Sequence, residues 1–213
     1  MTEPQLTIMQ RLKVETADLH TYAERRPLQG EMLKGSIARS RYGAYLGQLM
    51  LVHRTLEATL TEHASRADLD CVFKPHQRRH DDLRTDLAFL EVDADAIEPL
   101  PATSRLIEQI QTVATDHPVA LLGMLYVLEG STNGSKFIAK GMMRTHNMQP
   151  GPGLRYLDPY GDAQMKHWQA FKADMDAMEL NEQQADAIVD AAKHMFQAIA
   201  DISDEVHEPV ATA

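Results

Sequence analysis

Apolar residues recur every three or four positions along most of the chain, the spacing that lines one face of an α-helix. Leu6, Met9, Leu12, Thr16, Leu19 and Ala23 form one stripe and predict a first helix, which Pro27 and Gly30 should end. Leu46, Leu49, Val52 (or His53), Leu56 and Leu60 repeat the pattern over a second, longer helix. A third is expected after Pro75, and a fourth from Ser104, as N-cap, to about Thr115. Pro118 sits where the first turn of a helix tolerates proline, and the run from Val119 to Leu128 behind it is apolar almost all round. Such a helix is buried on most sides. Gln149-Pro150-Gly151-Pro152-Gly153 breaks the chain, and Ile188, Ala192, Met195, Ile199, Ile202 and Val206 mark a last helix spaced for packing against neighbours. No segment alternates with period two, and no repeat is visible. The pattern predicts an all-α, single-domain helical bundle of about seven helices over residues 1–213, with 209–213 a frayed tail.

Composition narrows the function. A chain of 213 residues can bury a core without staples. Lys+Arg of 21 against Asp+Glu of 31 gives a net charge of −10, which argues against nucleic acid as a partner. Cys71 is the single cysteine, so no intrachain disulfide forms and a reducing compartment is expected. No stretch has the length and apolarity of a membrane span, and the N-terminus lacks a basic leader, so the expectation is a cytoplasmic protein with no membrane partner.

Two short segments carry chemistry. His20 and Glu24 stand four residues apart, hence on one helix face. An imidazole is a common ligand for heme iron, and a carboxylate one turn on can take the Nδ1 proton and orient the ring for an Nε2–iron bond. The bland reading of such a pair is a solvated surface contact. Gly130 and Gly134 also share a face, inside the sequence Glu129-Gly130-Ser131-Thr132-Asn133-Gly134-Ser135. Glycine within a helix costs about 0.5–1 kcal/mol relative to alanine, so two of them need a reason. Close helix packing is one reason; a flat ligand laid against bare backbone is another.

Together these residues resemble the heme oxygenases, in particular the bacterial branch that makes biliverdin. The family's proximal helix has Leu-Lys, Thr, His and Ala-Glu where this chain has Leu12, Lys13, Thr16, His20, Ala23 and Glu24. Its distal helix matches Glu129-Gly130-Ser131 and Gly134, and Pro159-Tyr160-Gly161 with Trp168 and Phe171 matches a later run. The resemblance implies the family's helical fold. It also implies heme as both substrate and cofactor, with His20 on the iron and Glu24 as its partner. Lys13 and Lys172 would meet the propionates, and Ser135 and Phe196 would lie beside the pocket. Gly130, Ser131, Asn133 and Gly134 would form the distal surface that directs oxygen to one meso carbon. An external electron donor such as ferredoxin, flavodoxin or a reductase is implied too, and Arg11, Lys13, Arg25 and Arg26 are a candidate basic patch for it.

Two departures stand out. Ser131 occupies a position where animal-type members have an aspartate, leaving Ser131, Thr132 or Asn133 to organise proton-carrying water. Lys172 stands where the family often has an arginine. They keep open a heme carrier or sensor of the same fold without turnover. Other chemistries are less well supported. His76 and His80 are four apart but lie among Arg78, Arg79, Asp81 and Asp82, as on a solvated face. No Glu-x-x-His motif exists for a di-iron site. Cys71, which could suggest the thiamine-degrading enzymes that share the fold, has no convincing histidine nearby.

Overall fold

The structure is a computed structural model, and it describes residues 6–67 and 69–208, the side chains of Arg66 and Ala67 excepted. The expected frayed tail at 209–213 lies outside the described residues. Among the described residues there are nine α-helices and no strand: α1 Ile8–Glu15, α2 Ala17–Glu24, α3 Pro27–Lys34, α4 Arg39–Ala67, α5 His80–Phe89, α6 Pro101–Asp116, α7 Leu121–His146, α8 Gln164–Asp176 and α9 Glu182–His207.

Nine replace the expected seven because the N-terminal stripe is cut twice. Thr16 leaves helical geometry (φ −107°, ψ 1°), and its hydroxyl donates to the Leu12 carbonyl at 2.6 Å, dividing the first helix into α1 and α2. Pro27 then opens α3 instead of ending a helix, and Gly30 lies inside α3. Proline suits that first position because its missing N–H has no intrahelical acceptor there. Gly35, at φ +69°, is the residue that stops α3. The fourth expected helix starts earlier, at Pro101, so Ser104 is an interior residue and not a cap.

The long helices build the core. Helix α9 begins with a reciprocal cap between Asn181 and Gln184 and packs against α7, α2, α3, α4 and α6. Leu12, Leu28, Leu46, Leu49, Leu56 and Met195 are among its fully buried neighbours and members. Arg11 ties α1 to α9 through Glu182 and Asp186, at 3.2 and 2.7 Å. This frame leaves α2 and the middle of α7 lining one cleft.

Candidate functional site

The cleft has a volume of about 540 Å³. His20, Ala23 and Glu24 of α2 line it together with Gly130, Ser131, Asn133, Gly134 and Ser135 of α7. Phe196 and Ile199 of α9, Tyr45 and Leu49 of α4, Trp168 and Met165 of α8 complete much of the wall, with Tyr156 and Leu157 from the preceding loop. Such a mostly apolar cleft with a few polar groups is the usual form of a small-molecule site.

His20 stands midway along α2 with 53% of its side chain exposed. Its ring meets Phe196 edge-on, centroids 5.5 Å apart. Glu24 is its neighbour, but the nearest ring nitrogen is Nε2, 3.5 Å from Glu24 Oε1, and not Nδ1 as the sequence pairing suggests.

The two glycines decide between packing and ligand. A Cβ built at Gly134 would find no atom within 4 Å, and one at Gly130 would reach only ordinary contact with the Trp168 ring, at 3.5 Å. Neither glycine is needed for a neighbouring helix to approach. Both present bare backbone to the cleft, and a flat ligand fits that surface.

The polar residues of this stretch divide. Ser131 Oγ donates to the Leu128 carbonyl at 2.7 Å and also meets the Tyr156 hydroxyl. Asn133 Nδ2 donates to the Gly130 carbonyl, and its Oδ1 accepts from Gln164. Thr132 is buried away from the cleft, bonded to the Glu129 carbonyl and Gln164. Ser135 lines the wall, yet its hydroxyl donates to the Leu157 carbonyl at 2.6 Å and so holds the loop. Lys13 and Lys172 do not line the cleft. They occupy the outer faces of helices whose adjacent residues, Leu12 and Phe171, are the buried ones.

Several residues escaped the sequence reading. Gln29 Nε2 donates to the Tyr45 hydroxyl at 2.9 Å and to Ser203 at 3.1 Å on the cleft floor. Behind Ser131, burial pushes the Tyr156 phenol well above its ordinary pKa, so it keeps its proton. The Tyr156 ring lies edge-on to His53, centroids 5.4 Å apart. Burial lowers the His53 pKa, which makes the imidazole neutral, and Glu57 accepts from its Nδ1 at 3.1 Å. His53 Nε2 is buried without a hydrogen-bond partner. Asp86 accepts from the backbone N–H groups of Gly153, Arg155 and Tyr156 and so pins the loop. A buried tyrosine or aspartate in a helical pattern carries no signal of this kind. The Pro150-Gly151-Pro152-Gly153 run was the readable clue to a tight loop there, and both glycines take positive φ.

His76 and His80 do not form a pair. His76 lies in a 3-10 turn, Pro75–Gln77, with its ring tilted against that of His167, while His80 begins α5 beside Asp81. No group of three or more His, Cys, Asp or Glu among the described residues is arranged to hold a metal ion.

The model of the family described as Heme oxygenase matches residues 6–205, and the chain belongs to that family. Heme oxygenase 2 of Synechocystis is 21% identical over 97% of this chain and 85% of the relative. The structure of heme oxygenase from Leptospira interrogans superposes with a TM-score of 0.87, at 21% identity, covering 94% of this chain and 100% of the other. The structure of heme oxygenase-2 from Synechocystis in complex with heme and NO gives 0.89, at 20% identity, covering 95% and 86%. No described helix is long and apolar enough to cross a membrane.

Proposed function

We infer that the cleft holds heme and that the protein cleaves it, with dioxygen and reductant, to biliverdin, carbon monoxide and ferrous iron. The observation that carries the reading is the bare backbone of Gly130 and Gly134, open to the cleft that His20 also lines. Bound heme supplies the redox-active iron and is also the molecule consumed.

His20 is the imidazole of the cleft and is assigned as the iron ligand. Glu24 accepts from the ring nitrogen that does not ligate, fixing the tautomer. With Nε2 on iron, Glu24 would accept from Nδ1, whereas Nε2 now stands nearest its carboxylate. Gly130 and Gly134 would let the α7 backbone lie against the macrocycle, and Trp168 and Phe196 of the same cleft would offer it aromatic surface. Lys13 and Lys172 lie outside the lining and would be the propionate partners that the resemblance implies.

Ser131 is not an acid, so the proton-holding task falls to hydroxyl and imidazole groups. The Ser131 hydroxyl, the neutral Tyr156 phenol and neutral His53 stand successively behind the glycine surface. An external donor, such as a ferredoxin, flavodoxin or reductase, supplies electrons. A reducing cytoplasm suits both that supply and the single cysteine.

The test is to add hemin to the purified protein, then reductant under air, and follow the visible spectrum. Loss of the Soret band with growth of a biliverdin band is expected. A persistent Soret complex identifies the carrier or sensor that the serine at 131 left open. Absence of any Soret complex means that His20 and the glycines are structural. His20→Ala should lose the nitrogen-ligated ferric spectrum and turnover; normal activity in that variant excludes the site.

A further inference from the structure

We propose that Met165 is a sulfoxidation site for hydrogen peroxide at the mouth of the cleft, and that its oxidation loosens the hold on the tetrapyrrole. The second half rests on the heme reading above; the first does not.

The chain has 12 methionines, and exposure sets one of them apart. A peroxide must reach the sulfur lone pair, so a buried thioether is protected. Among the described methionines, Met143 and Met178 are partly buried against the core, and all the others but one are buried in it. The exception is Met165, 59% exposed.

Its position ties it to the site. Met165 is the second residue of α8 and lines the cleft together with Trp168, three residues on. A side chain that lines the wall and is also more than half exposed stands where the wall meets solvent. Gln169 Nε2 donates to the Met165 sulfur at 3.6 Å. A thioether is a weak acceptor, so that amide gains little from it. An oxygen added at the same sulfur is a much stronger acceptor, and the donor already stands beside it. Oxidation also turns a flexible apolar side chain into a polar one. An apolar ligand that covers the new oxygen then pays for its desolvation.

The proposed reaction consumes dioxygen and reductant in this same cleft. Two electrons and two protons that reach dioxygen without attack on the macrocycle make hydrogen peroxide there. The sulfur lone pair attacks one peroxide oxygen, the O–O bond breaks, and the other oxygen leaves as water. The thioether is oxidised by two electrons and the peroxide is reduced. Methionine sulfoxide reductases reverse the change. Met165 is thus a reversible brake, set when turnover yields peroxide in place of product.

The experiment treats the purified protein, without heme, with hydrogen peroxide and follows tryptic peptides by mass spectrometry. Peptide 156–166 holds Met165 as its only methionine. It should gain one oxygen about fivefold faster than Met143 and Met178 do, and the reductases should remove it. Hemin titration at the Soret band should then show affinity reduced about threefold in the oxidised protein. Met165→Gln should bind hemin as weakly as the oxidised protein, and peroxide should leave the affinity of Met165→Leu where it was before treatment. Oxidation of Met143 or Met178 as fast as Met165 overturns the site. Unchanged hemin affinity after oxidation, or a loss that Met165→Leu shares, overturns its role in the cleft. No Soret complex in the untreated protein defeats the heme reading instead, while the peptide masses still decide the modification site.

Discussion

Helix α7 carries four glycines in 26 residues, and they divide into two kinds. Near its ends, a Cβ at Gly123 would overlap the Ile188 carbonyl of α9, and one at Gly141 would stand 2.6 Å from the Leu33 carbonyl of α3. Those glycines exist so that backbones can touch. In the middle, Gly134 faces open space and Gly130 a ring at ordinary contact distance. The same residue type thus fixes the helix at both ends and leaves its centre bare. A packing glycine and a ligand glycine look alike in sequence, and only what stands opposite separates them.

The largest effect should follow a methyl group at an end. Gly123→Ala forces a Cβ into the backbone of α9, and overpacking of that kind destabilises by about 3 kcal/mol. Urea denaturation of the protein without heme measures it. A loss below about 1 kcal/mol would mean that the two helices separate easily, and the contrast between ends and middle would weaken.

The middle of α7 is supported differently, by a loop instead of a helix. Ser135 holds the Leu157 carbonyl and Ser131 meets Tyr156, while Asp86 anchors that loop from behind. Burial outweighs the three N–H donors and pushes the Asp86 pKa up to about 6, from an ordinary 3.8. The folded protein therefore holds this proton more tightly than the unfolded chain does. The stability that results is fully present below about pH 4 and is lost as pH rises through 6, by up to roughly 3 kcal/mol. Unfolding measured from pH 4 to 7.5 should show that decline, and Asp86→Asn should flatten it. A carboxyl titration near pH 4 in the native state would contradict the account.

Enlarging the centre probes the ligand directly. Gly134→Leu places a side chain where nothing stands within 4 Å, so folding should be unaffected while hemin affinity falls at least tenfold, about 1.4 kcal/mol. Hemin titration followed at the Soret band measures this. Unchanged affinity and product would remove the argument that α7 lies on the macrocycle.

Most of the helical frame was legible because apolar periodicity reports burial directly. Errors fell where a local hydrogen bond or a proline competes with that periodicity. The stripe from Met9 to Ala23 is continuous although Thr16 breaks the helix beneath it, and Pro27 reads equally as a stop or as a start. In the cleft, His20, Glu24, Gly130, Ser131, Asn133, Gly134, Ser135 and Phe196 come together as the motifs suggest, whereas Lys13 and Lys172 do not. Short motifs fix the backbone positions nearest a ligand, but a lysine's reach depends on which way its helix is turned. The Tyr156–His53–Glu57 cluster and the Asp86 clamp join segments far apart in the chain, and no local spacing encodes such contacts.

The smallest expected effect is also the sharpest divider of the two kinds of glycine. Gly134→Ala adds a methyl group that touches nothing, and it relieves the entropy penalty of an interior helical glycine. It should stabilise the protein without heme by about 0.5–1 kcal/mol, opposite in sign to Gly123→Ala. If bare backbone at this position is kept for heme, the gain must be accompanied by weaker hemin binding or a changed mixture of biliverdin isomers. Stabilisation with neither change would show that the centre of α7 tolerates side chains in the working site, and that Gly130 alone forms the contact.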